Sequence, residues 1–115
     1  MATPEPHVES LPNGVVITLS GELDAYDAPE LRRAFEAALE TEPALVVLDL
    51  TAVSFLDSTV LGAIVGLLRR VREAGGELRT VLPDSTARRI FEITNLVAAL
   101  DVWPSREDAA ADPAT

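Results

Sequence analysis

The chain has 115 residues, 48% of them hydrophobic, and a formal charge of −10 at pH 7; that is enough apolar material for one core and too little length for a two-domain enzyme. With no cysteine and a single histidine, His7, the sequence lacks the ligands for a zinc or iron–sulfur site and any Cys/His nucleophile pair, so no cofactor or metal is expected. The acidic balance excludes a nucleic-acid binder, whose affinity comes largely from Lys and Arg neutralising phosphates.

The opening MATPEPHVES has neither the basic start nor the apolar stretch of a signal peptide. The longest apolar run, residues 60–68, is far short of the roughly 20 residues a membrane span needs. A cytoplasmic protein without direct membrane insertion is expected. Both ends are rich in Pro, Ala and acids, which lowers the apolar area that can offset ordering entropy, so residues 1–7 and 106–115 read as flexible tails.

A short strand over residues 7–11 should form a hairpin with residues 15–19, VVITL, across the Asn13-Gly14 turn, the second strand stopping at Gly21. DAPELRRAFEAALE follows, with Asp27 as N-cap, Pro29 in the first turn and Glu30 at the capping-box position. Leu31, Ala34, Phe35, Ala38 and Leu39 share one face, the mark of an amphipathic helix. ALVVLDL, residues 44–50, is a nearly continuous apolar run of the kind that is covered on both faces of a sheet, and it should lie centrally. After Ser58 the period becomes helical, with Leu61, Ile64, Val65, Leu68 and Val71 inward, until Gly75-Gly76. Residues 78–82 form a third core strand, residues 85–95 a third helix and residues 100–103 a last strand. This alternation defines an α/β fold.

In such sheets binding sites form beyond the carboxyl ends of the strands. Two loops there concentrate polar chemistry: SGELDAYD, residues 20–27, and TAVSFLDST, residues 51–59. If their strands are neighbours, Asp24 and Asp57 approach each other beside Ser58. Taken alone, Asp57-Ser58 is a helix N-cap, in which a side-chain oxygen accepts from an orphan backbone N–H for about 1 kcal/mol. That leaves Gly62 and Gly66 unexplained, since each costs about 0.8–1.0 kcal/mol relative to Ala inside a helix. They lie four residues apart on one stripe, where either a partner or the protein's own sheet could approach closely. Ser58 as an enzymatic nucleophile would need an adjacent base, and the one His lies in an edge segment. Nothing suggests a deep sugar pocket between paired carboxylates, and neither GxxxxGK[ST] nor GxGxxG is present. The hydroxyl is better viewed as a substrate than as a reagent.

The succession ITLSGELDAYDAPEL, LVVLDLTAVSFLDSTVLG, VREAGGELRTV and ARRIFEITNL resembles the STAS domain, the sulfate transporter and anti-sigma factor antagonist family, over residues 8–105. The resemblance implies a single small domain, a mixed β-sheet of four to five strands with three to four helices. A stand-alone chain of this size is similar to the bacterial anti-sigma factor antagonists. By that resemblance Ser58 is the residue phosphorylated by an anti-sigma factor with serine kinase activity, with Thr59 the lesser candidate. Asp24, Asp57, Thr59, Val60, Leu61, Gly62 and Gly66 would face that partner, and a protein phosphatase would reset the switch. The chain would act as a regulator and not an enzyme, as a monomer or weak homodimer. A never-phosphorylated scaffold, or a STAS subunit of a membrane lipid-transport complex, is the alternative. Family members often carry glycine where this chain has Val60, whose side chain is expected to reach the partner without entering the core.

Overall fold

A computed structural model describes residues 5–82 and 101–111 of the chain. The elements follow in the order β1 (His7–Leu11), β2 (Gly14–Leu23), α1 (Ala28–Leu39), β3 (Leu45–Leu56), α2 (Ser58–Glu73), β4 (Glu77–Val81), β5 (Asp101–Trp103) and α3 (Arg106–Ala110). One five-stranded sheet runs β1-β2-β3-β4-β5. β1 pairs antiparallel with β2, and every later pairing is parallel. This is the mixed α/β sheet expected, and β3 lies at its centre.

The hairpin closes at Gly14, where a Cβ would run into the carbonyl of Leu45, so only glycine lets β2 start flush against β3. β2 does not stop at Gly21. Gly21 takes a left-handed φ of 82°, and irregularities flanking it, between Thr18 and Ser20 and between Gly21 and Glu22, bend the strand while pairing continues to Leu23–Leu56. Both predicted loops are therefore largely strand: residues 20–23 belong to β2 and residues 51–56 to β3. Of those two predicted loops, residues 24–27 and Asp57 remain as connections.

One face of the sheet packs on α1 and α2 through Ile17, Leu19, Leu31, Phe35, Val46, Leu48, Leu50, Ile64 and Leu67. The opposite face buries Val16, Leu45, Val47 and Val81 against Ala109 of α3, with Trp103 packed alongside. The expected C-terminal tail is, up to residue 111, a structured segment. Ser105 Oγ caps α3 by accepting from Asp108 N–H at 3.2 Å, and Arg79, only 2% exposed, donates from Nη1 to the Ala109 and Ala111 carbonyls at 3.0 and 2.9 Å. At the other terminus His7 already belongs to β1. The expected helix over residues 85–95 and the first residue of the expected last strand, Leu100, lie outside the described residues.

Candidate functional site

Leu23 and Leu56 end β2 and β3 as register partners, so the two connections that follow leave the sheet side by side. Asp57 joins them. Its backbone N–H donates to the Leu23 carbonyl at 3.2 Å. Its extended backbone (φ −101°, ψ −179°) sets the side chain over the start of α2, where Oδ1 accepts from Val60 N–H at 3.0 Å. The other oxygen, Oδ2, accepts from Ala25 N–H at 2.9 Å. One carboxylate thus caps a helix and holds the neighbouring turn.

That turn is tied by aspartates throughout. Asp24 Oδ1 accepts from Tyr26 N–H at 2.9 Å, Asp27 Oδ2 accepts from Asp24 N–H at 3.0 Å, and Asp27 N–H donates to the Asp24 carbonyl at 2.9 Å. Asp27 occupies the N-cap of α1 but makes no side-chain capping bond there; its carboxylate is engaged by the turn instead. Asp24 and Asp57 are brought together as expected, both within one hydrogen-bonded unit that Ser58 immediately follows.

Ser58 and Thr59 open α2 and are both exposed. Val60 does not: at 0% exposure it belongs to the core with Ile64, Leu67 and Val71. The expectation that Val60 reaches a partner is therefore corrected, because its position one helical turn before Ile64 turns it toward the sheet. Leu61 is also buried. Gly62 is exposed and Gly66 half-buried, and a Cβ on either would meet nothing within 4 Å. The sheet does not require these glycines. They line an open groove of about 210 Å³ between α1 and α2, with Phe35, Ala63 and Leu67 as its floor and Arg32, Glu36 and Arg70 at its rim.

Two exposed aromatics were missed in the sequence. Tyr26, in the aspartate-tied turn, is 92% exposed, and Phe55, near the end of β3, is 42% exposed. For Tyr26 the signal was present: the chain's single tyrosine stands between two aspartates in a polar stretch. His7 lies on the edge strand with Nε2 3.2 Å from Glu9 Oε1. Among the described residues no group of three or more His, Cys, Asp or Glu could hold a metal ion, and no helix is long and apolar enough to cross a membrane.

A five-stranded mixed sheet with two helices on one face, and an exposed serine directly after the Asp57 N-cap where the central strand passes into the second of them, defines a small mixed α/β domain. The chain belongs to the STAS domain family, whose model matches residues 5–109. It is 37% identical over 86 residues to the anti-sigma-B factor antagonist of Listeria monocytogenes, covering 75% of each chain. With the anti-sigma-B factor antagonist of Bacillus subtilis it shares 34% over 95 residues, 83% of this chain and 86% of the relative. The crystal structure of an anti-sigma factor antagonist from Mycobacterium paratuberculosis superposes with a TM-score of 0.83 at 30% identity, covering 90% of this chain and 88% of that one.

Proposed function

We propose that this protein is an anti-sigma factor antagonist: in its unphosphorylated form it docks on an anti-sigma factor with serine kinase activity and frees a sigma factor, and phosphorylation of Ser58 ends the docking. The chain is the kinase's substrate and not itself a catalyst, and a phosphatase restores the active form. The names of its relatives support the antagonist role. The observation that carries the switch is the state of Ser58: it is exposed at the first position of α2, and its hydroxyl makes no hydrogen bond to a described residue, while the adjacent Asp57 carboxylate already serves the fold through both oxygens.

A phosphate on that hydroxyl adds about −1.5 to −2 charge at pH 7. The fold tolerates it, because no internal bond is displaced and the helix N-terminus favours negative charge by roughly 0.3–1 kcal/mol. The docking face does not. Next to Asp57 and the exposed Asp24, in a protein that already carries −10, the added charge must be desolvated by any partner closing over it.

Reaction with ATP and the purified serine-kinase anti-sigma factors of the source organism, followed by mass spectrometry, tests the acceptor; label on Thr59 with none on Ser58 would refute it. Ser58→Asp should keep the wild-type melting temperature and lose about a hundredfold in affinity for the kinase, or 2.8 kcal/mol. Ser58→Ala should still bind. Equal affinity of wild type and Ser58→Asp removes the electrostatic switch.

A further inference from the structure

The turn from Asp24 to Asp27 uses more hydrogen bonds than a four-residue connection requires. Four successive amides, those of Asp24, Ala25, Tyr26 and Asp27, each donate to an oxygen inside the unit, and three of those oxygens are aspartate carboxylates. What this rigid unit displays is Tyr26, a large ring 92% exposed to water. Among the described residues only Val8 and Phe55 are other large apolar side chains in the exposed class. Val8 is on the edge strand β1, whereas Phe55 lies at the same carboxyl end of the sheet as Tyr26, two residues before Asp57. Asp57 ties the whole to Ser58, since its Oδ2 holds Ala25 N–H next to Tyr26 in the chain.

We infer that Tyr26, with Phe55 beside the same strand ends, is the aromatic anchor that seats the serine-kinase partner over Ser58. The inference rests on the proposed function and names the contact on which that docking depends. The bonds order the backbone at Tyr26, so binding has to fix only the ring's two side-chain torsions, a small cost for a large contact area and one reason tyrosine is enriched at interface hot spots. The turn's bonds do the ordering before the partner arrives. The partner surface that fits is an apolar pocket wide enough for a phenol ring and bordered by arginine or lysine, because Asp24 and Asp27 flank the ring. The ring takes no part in phosphoryl transfer; it sets how tightly and in what orientation the Ser58 hydroxyl is offered.

Initial rates of Ser58 phosphorylation by each purified serine-kinase anti-sigma factor of the source organism, with the full chain as varied substrate, test this. Tyr26→Ala should raise KM about tenfold or more with kcat and melting temperature unchanged, Phe55→Ala should raise it by a smaller factor, and Tyr26→Phe should stay near wild type. A wild-type KM for Tyr26→Ala, with Ser58 still labelled, overturns the anchor and leaves the switch standing. A fall in kcat at unchanged KM also overturns it, because the tyrosine would then act on the chemistry and not on docking. If no kinase labels or binds the wild-type chain, the anchor and the proposed function fall together.

Discussion

Asp57 and Arg79 perform the same task at two ends of the solvent scale. Each is a charged side chain that holds a second segment through backbone groups: Asp57 accepts from Val60 and Ala25 N–H, and Arg79 donates to the Ala109 and Ala111 carbonyls. Asp57 is partly open to water. Arg79 is 2% exposed, its Nε on Glu77 Oε2 at 2.7 Å and its guanidinium 4.5 Å from the Trp103 ring centroid. When a bond at the rim is lost, water replaces it; when the one to the buried Ala109 carbonyl is lost, that carbonyl is left without a donor. The molecule keeps its costly ionic contact on the face away from Ser58 and its cheap ones beside it, so the charge change proposed at Ser58 would not threaten the fold.

The sharpest way to break that comparison is Arg79→Ala. It removes the donor for one buried and one part-buried carbonyl and the packed stem of a long side chain, and should cost about 3 kcal/mol. A drop in melting temperature of more than roughly 10 °C is expected by circular dichroism, with α3 released from the sheet. A loss below about 1 kcal/mol would mean that Arg79 is not the tie it looks to be. Val60→Gly comes next. A fully buried valine contributes about 1.5–3 kcal/mol and glycine costs the helix a few tenths more than valine, so a destabilisation of about 2–3 kcal/mol should appear in urea unfolding. A surface valine would lose a fraction of that.

Val60 also shows where the sequence was legible and where it was misread. Its spacing to Ile64, Leu67 and Val71 is the helical core stripe, yet its place directly after two exposed polar residues suggested a surface position. The central strand, the N-cap at Asp57 and the meeting of the two aspartate-bearing connections were readable, because each rests on local pattern or on parallel pairing of neighbours. The continuation of β2 past Gly21 was not, since a glycine that permits a bulge looks like one that ends a strand. Nor was α3. REDAA carries one buried side chain, Ala109, and its order comes from Arg79, some thirty residues earlier, a contact that no window of local sequence contains.

Asp57→Ala probes the rim side of the comparison. Losing an N-cap costs about 1 kcal/mol, and the partly exposed bond to Ala25 adds a few tenths to one more, so a total of about 1.5 kcal/mol is expected. The signature lies in location: amide exchange should quicken at Ala25, Tyr26 and Val60 while the β3 core amides follow only the global change. Uniform acceleration throughout the sheet would place Asp57 with Arg79 as a determinant of the whole fold.

The smallest effect carries the opposite sign. Gly14 and Gly21 are held by sterics and by a left-handed φ, but Gly62 and Gly66 have helical neighbours, no positive φ and open space where a Cβ would stand. Replacing either with alanine removes backbone entropy from the unfolded chain and adds no clash, so each should stabilise the protein by about 0.8–1.0 kcal/mol. Nothing inside the described fold opposes the change. The two added methyl groups would narrow the groove between α1 and α2 at Phe35 and Leu67, and that is where the comparison becomes informative. If the double variant melts higher and binds the proposed anti-sigma kinase as the wild type does, the glycines are surface variation. If it melts higher and binds more weakly, the partner extends from Ser58 along α2 into the groove, and the open space on that helix is kept at the expense of stability.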